Sequence, residues 1–340
     1  MTANKPKVWV SRPTYPDIIA RLDEHFEVLA EAQETKFSSA QLAVKLADVD
    51  AAIVGLKDRI GAVEVAGAKR LRLVADLSAG YDNLDLVALT SAGIAATNTT
   101  GALNDSVADY TWALLLGAAR RVNAAERWLR DGQWQATEFG GWLGLGLRGR
   151  TLGILGMGKI GQAVAHRAVG FGVNVIYHNR SRLPLAVEDE CHARYVELAA
   201  LLRESDFLVL ALPLTPHNRH LIGAAELAAM KPTAVLVNIA RGGIVDDAAL
   251  AAALAHGGIA AAALDVFEGE PGVHPALLKL DNVLLSPHIA SATHDARRAM
   301  TALAVDNVQA MFGYGPYAGQ PPNILNPAAL AAVGAPLTLD

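Results

Sequence analysis

The chain of 340 residues contains a single cysteine, Cys191. One cysteine excludes an internal disulfide and any metal site built from several thiolates, and it is typical of a reducing compartment. Although 52% of the residues are hydrophobic, no uninterrupted apolar stretch reaches the roughly 18 residues of a membrane-spanning helix. The first seven residues also lack the apolar run of a signal peptide. Lys and Arg total 29 against 34 Asp and Glu, giving a net charge of −5 without blocks of like charge. We therefore predict a cytoplasmic protein whose main partner is neither nucleic acid nor a membrane.

Short apolar, β-branched segments alternate with alanine-rich segments along most of the chain. This alternation predicts an α/β protein in which crossover helices join parallel strands into doubly wound sheets. The five strands expected in the first hundred residues are Lys7–Val10, Phe26–Leu29, Ala51–Val54, Leu73–Leu77 and Ile94–Thr97. The six expected after residue 150 are Thr151–Leu155, Val173–Tyr177, Phe207–Leu212, Ala234–Asn238, Ala260–Val266 and Val283–Ser286.

Helical periodicity predicts how the domains are connected. Shorter helices are expected at Ile18–Glu24 and Ala40–Leu46, and a long one at Ser106–Arg130 leads from one domain to the next. A second long helix, Ala292–Phe312, returns the chain to the first domain. We therefore predict a domain of residues 104–291 inserted into a discontinuous domain of residues 1–103 and 292–328. Residues 329–340 are expected to form a loosely ordered tail.

The spacing G-x-G-x-x-G occurs twice, and only one occurrence has the context of a dinucleotide-binding loop. Gly144, Gly146 and Gly149 lead into a strand, so we interpret them as a loop. Gly156, Gly158 and Gly161 instead follow the strand Thr151–Leu155 and open a helical segment, Lys159–Val169. In that context the glycines permit a tight turn, close approach to a pyrophosphate and helix–strand packing. The alternative is an ordinary strand-to-helix turn.

The residues that follow the next expected strand, Val173–Tyr177, predict which nicotinamide cofactor is bound. The residues there are Asn179, Arg180, Ser181 and Arg182, and no carboxylate follows until Glu188. An acidic side chain at this place binds the ribose 2′-hydroxyl of NAD, whereas a 2′-phosphate requires cations and hydroxyls. We therefore expect NADPH to be preferred over NADH, the alternative being a solvated basic turn.

Three polar signals follow expected strands of the second half of the chain, at the sheet edge where doubly wound folds bind ligands. They are Arg241 in a Gly-rich turn, Glu270 before Pro271, and His288 after Pro287. Taken singly, they also fit a surface cation, a turn acid and a structural histidine. His217 and His220 lack metal-ligand spacing in a predicted loop, where solvation is expected, so no metal is predicted.

Together with the glycine loop, these signals resemble the D-isomer-specific 2-hydroxyacid dehydrogenase family from Lys7 to about Pro327. Further matching segments are Ser78–Asp85, Val107–Thr111 and Ala118–Arg121, and the segments Ala193–Tyr195, Asn179–Arg182 and Ser291–His294 resemble glyoxylate/hydroxypyruvate reductases and 2-ketogluconate reductases. The resemblance implies a catalytic triad of Arg241, Glu270 and His288. It also implies a Rossmann cofactor domain inserted into a flavodoxin-like substrate domain, and a homodimer.

The chemistry of 2-oxo acid reduction suits this triad. His288 can protonate the carbonyl oxygen as hydride arrives, Glu270 would stabilise the imidazolium, and Arg241 can bind the substrate carboxylate and carbonyl. The N–H groups of Ala79 and Gly80 could form a nest for a carboxylate oxygen, or a plain β-turn. Leu56 and Ser78 are the other expected substrate contacts. The resemblance further assigns to the cofactor Thr111, Met157, Lys159, Ile160, Leu212, Pro213, Ile239, Ala240 and Asp265.

Three aromatic residues precede the cofactor loop in a glycine-rich connection: Trp134, Phe139 and Trp142. These aromatic residues could pack in the core or form a subunit interface, and the resemblance suggests that one of them reaches a partner's substrate pocket. Two other enzyme activities also fit the chain, a 2-ketogluconate reductase and a phosphoglycerate dehydrogenase-like enzyme. A nucleotide-sensing binding protein of the same fold is the non-enzymatic alternative.

Overall fold

The computed structural model describes residues 5–333, and this part of the chain forms two compact units. The first break between the units lies between Leu103 and Asn104, and the second lies between Ala292 and Thr293. The second unit is therefore inserted into the sequence of the first. Among residues 5–333, no helix combines the length and the apolar character needed to cross a bilayer.

The first unit begins with five short parallel strands. The strands are β1 (Lys7–Val10), β2 (Glu27–Ala30), β3 (Ala51–Val54), β4 (Leu73–Asp76) and β5 (Ala95–Thr97). The helices between them are α1 (Pro16–Ile19), α2 (Ser39–Ala47), α3 (Ala62–Val65) and α4 (Leu86–Ser91), with a 3₁₀ turn at Ala20–Leu22. The strand order is β2-β1-β3-β4-β5. This is the flavodoxin-like order, and its direction reverses between β1 and β3.

The second unit contains a seven-stranded parallel sheet. Its helices are α5 (Asn104–Ala119), α6 (Val122–Arg130), α7 (Lys159–Phe171), α8 (Leu185–Glu190), α9 (Leu198–Glu204), α10 (Ala224–Ala229) and α11 (Asp247–Ala255), with a 3₁₀ turn at Leu277–Lys279. Its strands are β6 (Thr151–Leu155), β7 (Asn174–His178), β8 (Ala193–Tyr195), β9 (Phe207–Leu210), β10 (Val235–Asn238), β11 (Ala261–Leu264) and β12 (Val283–Leu285). Their order is β12-β11-β10-β9-β6-β7-β8. This order extends the classic Rossmann arrangement by one strand and reverses between β6 and β9.

The chain returns to the first unit through α12 (His294–Met311), and α13 (Ala328–Val333) follows. Buried α12 residues, among them Ala304, Val305 and Val308, share a core with Val8 and Ile53 of the sheet. All four residues of β3 and of β4 are buried. Continuous burial is expected where helices cover both faces of a parallel sheet, and it explains why these strands are apolar throughout.

These observations confirm the predicted fold class of two doubly wound parallel sheets, one inserted into the other. The six strands expected in the second unit are present, within one or two residues at most ends. The count of six is wrong, because β8 forms a seventh strand. That strand has only three residues, none of them fully buried, and Arg194 at its centre is exposed. Such a short, polar edge strand carries no apolar signal in the sequence.

The single helix predicted for Ser106–Arg130 is also wrong, because Arg121 interrupts it with a left-handed φ of 56°. The carbonyl of Ala119 accepts a hydrogen bond from the N–H of Leu145 at 2.8 Å, so it is unavailable for continuing the helix. The guanidinium of Arg121 lies 4.8 Å from the ring centre of Trp142. A contact distant in sequence thus ends α5 and starts α6.

Two smaller helix predictions differ from the structure. The segment expected as one helix at Ile18–Glu24 is the end of α1 followed by the 3₁₀ turn. Part of the predicted tail, up to Val333, belongs to α13 and is therefore regular structure. Residues 334–340 of that tail lie outside the described residues.

Candidate active site

The glycine loop lies at the point where the order of the seven-stranded sheet reverses. Gly156 follows β6 with a φ of +100°, and a Cβ atom there would lie 2.6 Å from the carbonyl oxygen of Ala211, just after β9. A Cβ at Gly161 would lie 2.3 Å from the carbonyl oxygen of Gly156. By contrast, a Cβ at Gly158 would meet no atom within 4 Å. The first and third glycines are thus required by packing, whereas the second leaves open space beside the backbone.

That open space adjoins the N-terminus of α7. Gly158 is the N-cap of this 13-residue helix, and no side chain caps it. Its first N–H groups are therefore available to an anion, which the helix dipole also favours. Lys159 and Ile160 form the first turn, and Met157 is buried before it. This geometry fits the pyrophosphate of a dinucleotide.

In the basic turn after β7, two residues are bonded within the protein and two are exposed. The side chain of Asn179 accepts a hydrogen bond from the N–H of Met157 at 2.7 Å, which ties the turn to the glycine loop. Arg182 binds the buried carboxylate of Glu188 through two hydrogen bonds of 2.8 and 2.7 Å. Arg182 and the hydroxyl of Tyr177 lower the pKa of Glu188 to about 2. Arg180 and Ser181 are both exposed, and Arg180 forms no ion pair within residues 5–333.

His288 and Glu270 form a hydrogen-bonded pair at the carboxyl edge of the same sheet. The Nδ1 atom of His288 lies 2.8 Å from Oε2 of Glu270, and Oε1 of Glu270 accepts the N–H of Phe267 at 2.9 Å. Partial burial alone would raise the pKa of Glu270. The pKa is nevertheless lowered, because the carboxylate is stabilised by the hydrogen bond and charge of His288, by the N–H of Phe267 and by the charge of Arg241. Glu270 is therefore a carboxylate at neutral pH.

Arg241 lies on the neighbouring loop, which packs directly against the Glu270 turn. A Cβ at Gly242 would lie 1.8 Å from the carbonyl oxygen of Phe267, so only glycine permits this contact between the loops after β10 and β11. The Asn238 side chain secures the Arg241 loop by donating to the Arg241 carbonyl at 3.1 Å and accepting the Ala240 N–H at 3.0 Å. Three residues from three strand ends are thus collected in one unit.

Asp265 holds the His288 segment in place. It is fully buried after β11, and its Oδ1 accepts the hydroxyl of Ser286 at 2.7 Å and the N–H of Ile289 at 2.9 Å. Its Oδ2 accepts the N–H of Ala290 at 2.9 Å. His288 itself has a left-handed φ of 55°, a conformation that costs energy and persists where neighbouring contacts enforce it. The carboxylate expected at the cofactor is therefore fully engaged in supporting this loop.

The other residues expected at the cofactor occupy different environments. Ile239 and Ala240 are largely buried after β10, and Leu212 and Pro213 follow β9 beside the glycine loop. Thr111 is completely buried on α5, where its hydroxyl donates to the carbonyl of Val107 at 2.7 Å.

The expected substrate residues lie in the first unit, after β3 and β4. Ser78 is buried and its hydroxyl donates to Asp76 at 2.8 Å, while the carbonyl of Ala79 accepts the Asn98 amide at 2.7 Å. The N–H groups of Ala79 and Gly80 have no acceptor within residues 5–333. Leu56, in the turn after β3, is half-buried.

Two further predictions concern side chains near these elements. Trp134 and Phe139 are exposed in the second unit, whereas Trp142 is half-buried with its ring centre 5.5 Å from that of Trp128. His217 and His220 are both exposed, and Nε2 of His220 also lies 2.8 Å from Oε2 of Glu268. The sequence separates His220 and Glu268 by 48 positions, so no local pattern indicates the pair. No cluster of three potential metal ligands occurs among the residues described.

Comparison with known proteins identifies the chain. Residues 112–290 match the family model described as "D-isomer specific 2-hydroxyacid dehydrogenase, NAD binding domain". The protein belongs to the D-isomer specific 2-hydroxyacid dehydrogenase family. It is therefore an oxidoreductase with an NAD-binding Rossmann domain.

Other members of this 2-hydroxyacid dehydrogenase family are similar along most of the chain. A glyoxylate reductase of Thermococcus onnurineus is 46% identical over 309 residues, 89% of this chain and 92% of its own. One from Aeropyrum pernix is 46% identical over 329 residues, 95% of this chain and 96% of its own. A similar solved structure is that of an NADPH-dependent glyoxylate/hydroxypyruvate reductase from Sinorhizobium meliloti in complex with NADP and malonate. The two structures match with a TM-score of 0.80 and 36% sequence identity, and the match covers 92% of this chain and 95% of that chain.

Proposed function

We propose that this dehydrogenase reduces small 2-oxo acids to D-2-hydroxy acids with a preference for NADPH. The substrates are glyoxylate, which gives glycolate, and hydroxypyruvate, which gives D-glycerate. The observation that carries the proposal is the 2.8 Å contact between His288 and Glu270, on loops beside the Arg241 loop. The glyoxylate reductases similar to this chain support the choice of substrate.

The proposed chemistry uses one proton and one hydride. A bound nicotinamide cofactor supplies the hydride, and the net reaction is glyoxylate plus NADPH plus H⁺ to glycolate plus NADP⁺. His288 donates the proton to the carbonyl oxygen from Nε2, since Nδ1 faces Glu270. Glu270 orients the imidazole and stabilises its charged form. Arg241 binds the substrate carboxylate and polarises the carbonyl.

We assign the N–H groups of Ala79 and Gly80 to a substrate carboxylate oxygen, with Ser78 and Leu56 as further substrate contacts. Consecutive N–H groups without an acceptor form a small cradle for an anion. The carbonyl of Ala79 accepts the Asn98 amide, and the carbonyl of Gly80 shares the proton of the Ser78 hydroxyl with Asp76. The contacts of the two carbonyls fix the turn and leave its N–H groups free.

NADPH preference is assigned to Arg180 and Ser181. Both side chains are exposed on the turn after β7 and can donate to a 2′-phosphate, whereas Arg182 is already bound to Glu188. Arg180→Ala should raise the KM for NADPH by about 10- to 100-fold, the loss expected for a charge-assisted hydrogen bond, while the KM for NADH changes little. Equal changes in the two KM values would contradict the assignment.

The remaining cofactor residues are proposed as a set along the crevice of the second unit. Besides the glycine loop and the turn with Asn179 and Arg182, they are Thr111, Leu212, Pro213, Ile239, Ala240 and Asp265. Of these, Thr111 and Asp265 would act through packing and loop support, since both are buried with their side chains bonded within the protein.

Initial rates with a panel of 2-oxo acids test the function. Glyoxylate, hydroxypyruvate, 2-ketogluconate and pyruvate are compared with NADPH and NADH. We expect kcat/KM to be highest for glyoxylate or hydroxypyruvate with NADPH. Highest activity on 2-ketogluconate would favour that alternative, and cofactor binding without turnover of any 2-oxo acid would favour a nucleotide-sensing protein.

We further propose that the enzyme is a cytoplasmic homodimer. Trp134 and Phe139 expose apolar area near one another in sequence, as subunit interfaces often do before they assemble. Sedimentation of the purified protein should give twice the mass of the 35.7 kDa chain. A monomer at micromolar concentration would contradict this proposal.

A further inference from the structure

The first carboxylate after the basic turn, that of Glu188, contacts the turn itself. Glu188 lies on α8, six residues beyond Arg182, and its side chain is only 7% exposed. Its Oε1 accepts the Nε–H of Arg182 at 2.8 Å and the hydroxyl of Tyr177 at 2.7 Å, and its Oε2 accepts an N–H of Arg182 Nη2 at 2.7 Å. Because both oxygens are occupied and buried, this carboxylate is unavailable to the ribose hydroxyls that an acidic residue binds in NAD-specific folds.

Tyr177 connects the carboxylate of Glu188 to the backbone of the turn. The side chain lies near the end of β7 and is completely buried. Its hydroxyl donates to Glu188 and accepts the N–H of Leu183 at 2.9 Å. At the other end of the turn, the side chain of Asn179 accepts the N–H of Met157 at 2.7 Å. The turn is therefore fixed at both ends.

The two bonds to Glu188 use only one edge of the Arg182 guanidinium. A guanidinium has five N–H donors, and the edge used here consists of Nε–H and one N–H of Nη2. The adjacent edge, formed by Nη1 and the second N–H of Nη2, has no acceptor among residues 5–333. The Arg182 side chain is 56% exposed although its partner is buried. Glu188 thus fixes the orientation of a planar fork that remains free, and such a fork matches two oxygens of a phosphate.

We propose that Glu188 is a positioning residue for the 2′-phosphate of NADPH and acts through Arg182. The inference rests on the proposed NADPH preference and deepens it. Arg180 and Ser181 contribute donors from the exposed part of the turn, and Glu188 adds a donor group held in one orientation. An arginine that is immobilised before the ligand arrives loses less side-chain entropy when the ligand binds.

The negative charge of Glu188 opposes a bound phosphate only weakly. The carboxylate lies on the edge of the Arg182 guanidinium that carries Nε, so the guanidinium separates it from an anion at the adjacent edge. The Arg182 side chain is more than half exposed, and solvent and salt screen charges at such a site. We therefore expect the gain from positioning to exceed the loss from repulsion.

Binding of NADP⁺ and of NAD⁺, measured by calorimetry without a substrate, tests the proposal. The two ligands differ only in the 2′-phosphate, so the ratio of their Kd values isolates its contacts. Glu188→Asp retains the negative charge but shortens the side chain by one methylene group, so the carboxylate no longer reaches both Arg182 and Tyr177. We expect the Kd of NADP⁺ to rise by about 3- to 10-fold, the effect of immobilising one long side chain. The Kd of NAD⁺ should stay the same.

Two further variants test the path from Glu188 to the phosphate. Tyr177→Phe leaves every charge in place and removes the hydroxyl that supports Glu188 and Leu183. It should also weaken NADP⁺ binding selectively, and it tests the network if Glu188→Asp does not fold. Arg182→Lys keeps the positive charge but has no planar fork. In an Arg182→Lys background, Glu188→Asp should therefore have no further effect on the Kd of NADP⁺.

Glu204→Asp is the matched control for the loss of one methylene group. Glu204 on α9 pairs with Arg194 on β8 at 2.9 Å, and neither belongs to the basic turn. This substitution should leave both Kd values unchanged. An equal loss of NADP⁺ binding in Glu204→Asp and Glu188→Asp would overturn the proposal.

Three other results would also overturn the positioning role while leaving the proposed function intact. The first is an unchanged Kd ratio in both Glu188→Asp and Tyr177→Phe, and the second is an equal rise in Kd for NADP⁺ and NAD⁺. The third is tighter binding of NADP⁺ to Glu188→Asp, which would show that Glu188 competes with the phosphate for Arg182.

Failure of the proposed function has a different signature. Wild-type protein that binds NAD⁺ as tightly as NADP⁺ would refute the NADPH preference and the role of Glu188 together. Wild-type protein that prefers NADP⁺ but reduces no 2-oxo acid would refute the reductase activity alone, because the binding test does not depend on turnover.

Discussion

Replacing Glu270 by glutamine tests how the pair with His288 works. The amide retains the size of the carboxylate and an oxygen that can accept a hydrogen bond, but it removes the negative charge. Unit charges about 4 Å apart interact by about 1 kcal/mol in bulk water and by about 4 kcal/mol at an effective dielectric constant of 20. Because the His288 and Glu270 side chains are 29% and 32% exposed, we expect about 1.5 to 3 kcal/mol of lost stabilisation of the imidazolium.

The assay is the rate of the reverse reaction, glycolate oxidation by NADP⁺, in which His288 accepts the proton and the charge of the imidazolium develops. About 1.4 kcal/mol corresponds to a tenfold change in rate, so Glu270→Gln should lower kcat for oxidation by about 10- to 100-fold. Glu268→Gln is the matched control, because Glu268 contacts His220 and Arg219. An unchanged rate in Glu270→Gln, or an equal loss in both variants, would refute the proposed role of Glu270.

Two other predictions concern stability. Gly161→Ala places a methyl group against the Gly156 carbonyl, so it should destabilise the protein by about 1 to 3 kcal/mol and weaken NADPH binding. Gly146→Ala is the control, because no atom lies within 4 Å of the new Cβ, and it should have neither effect. Equal melting temperatures and NADPH affinities in the two variants would contradict the account of the glycine loop. Arg182 and Tyr177 lower the pKa of Glu188 from 4.5 to about 2, so the stability that this carboxylate contributes is fully present above pH 4.5 and is lost as pH falls toward 2. Glu188→Gln should therefore have a lower melting temperature than the wild type at neutral pH, and the difference should diminish between pH 4.5 and 2; a constant difference would contradict the pairing.

The sequence indicates strands and motifs because each depends on neighbouring residues. Burial on both faces makes β3 and β4 continuously apolar, and the glycine loop depends on the local requirements of one turn. Both could be predicted, and so could the order of Arg241, Glu270 and His288 after successive strands. Family resemblance supplied the roles of these three residues.

The features that escaped prediction depend on contacts between distant segments. The break at Arg121 follows from the bond between Leu145 and Ala119, and the commitment of Arg182 follows from the position of Glu188 on α8. Periodicity within the 25 residues from Ser106 to Arg130 contains no sign of the first contact. Similarly, the support that Asp265 gives to the His288 loop depends on the pairing of β11 with β12.

Glyoxylate-dependent oxidation of NADPH by the wild type, His288→Gln and His217→Gln tests the central claim most directly. His217 is exposed in a loop of the second unit and serves as the matched histidine control. Loss of a general acid lowers rates by about 10²- to 10⁴-fold, so kcat should fall by this factor in His288→Gln and remain at the wild-type value in His217→Gln. Wild-type protein that binds NADPH without reducing glyoxylate or any other 2-oxo acid, or a His288→Gln variant with the full rate, would contradict the account.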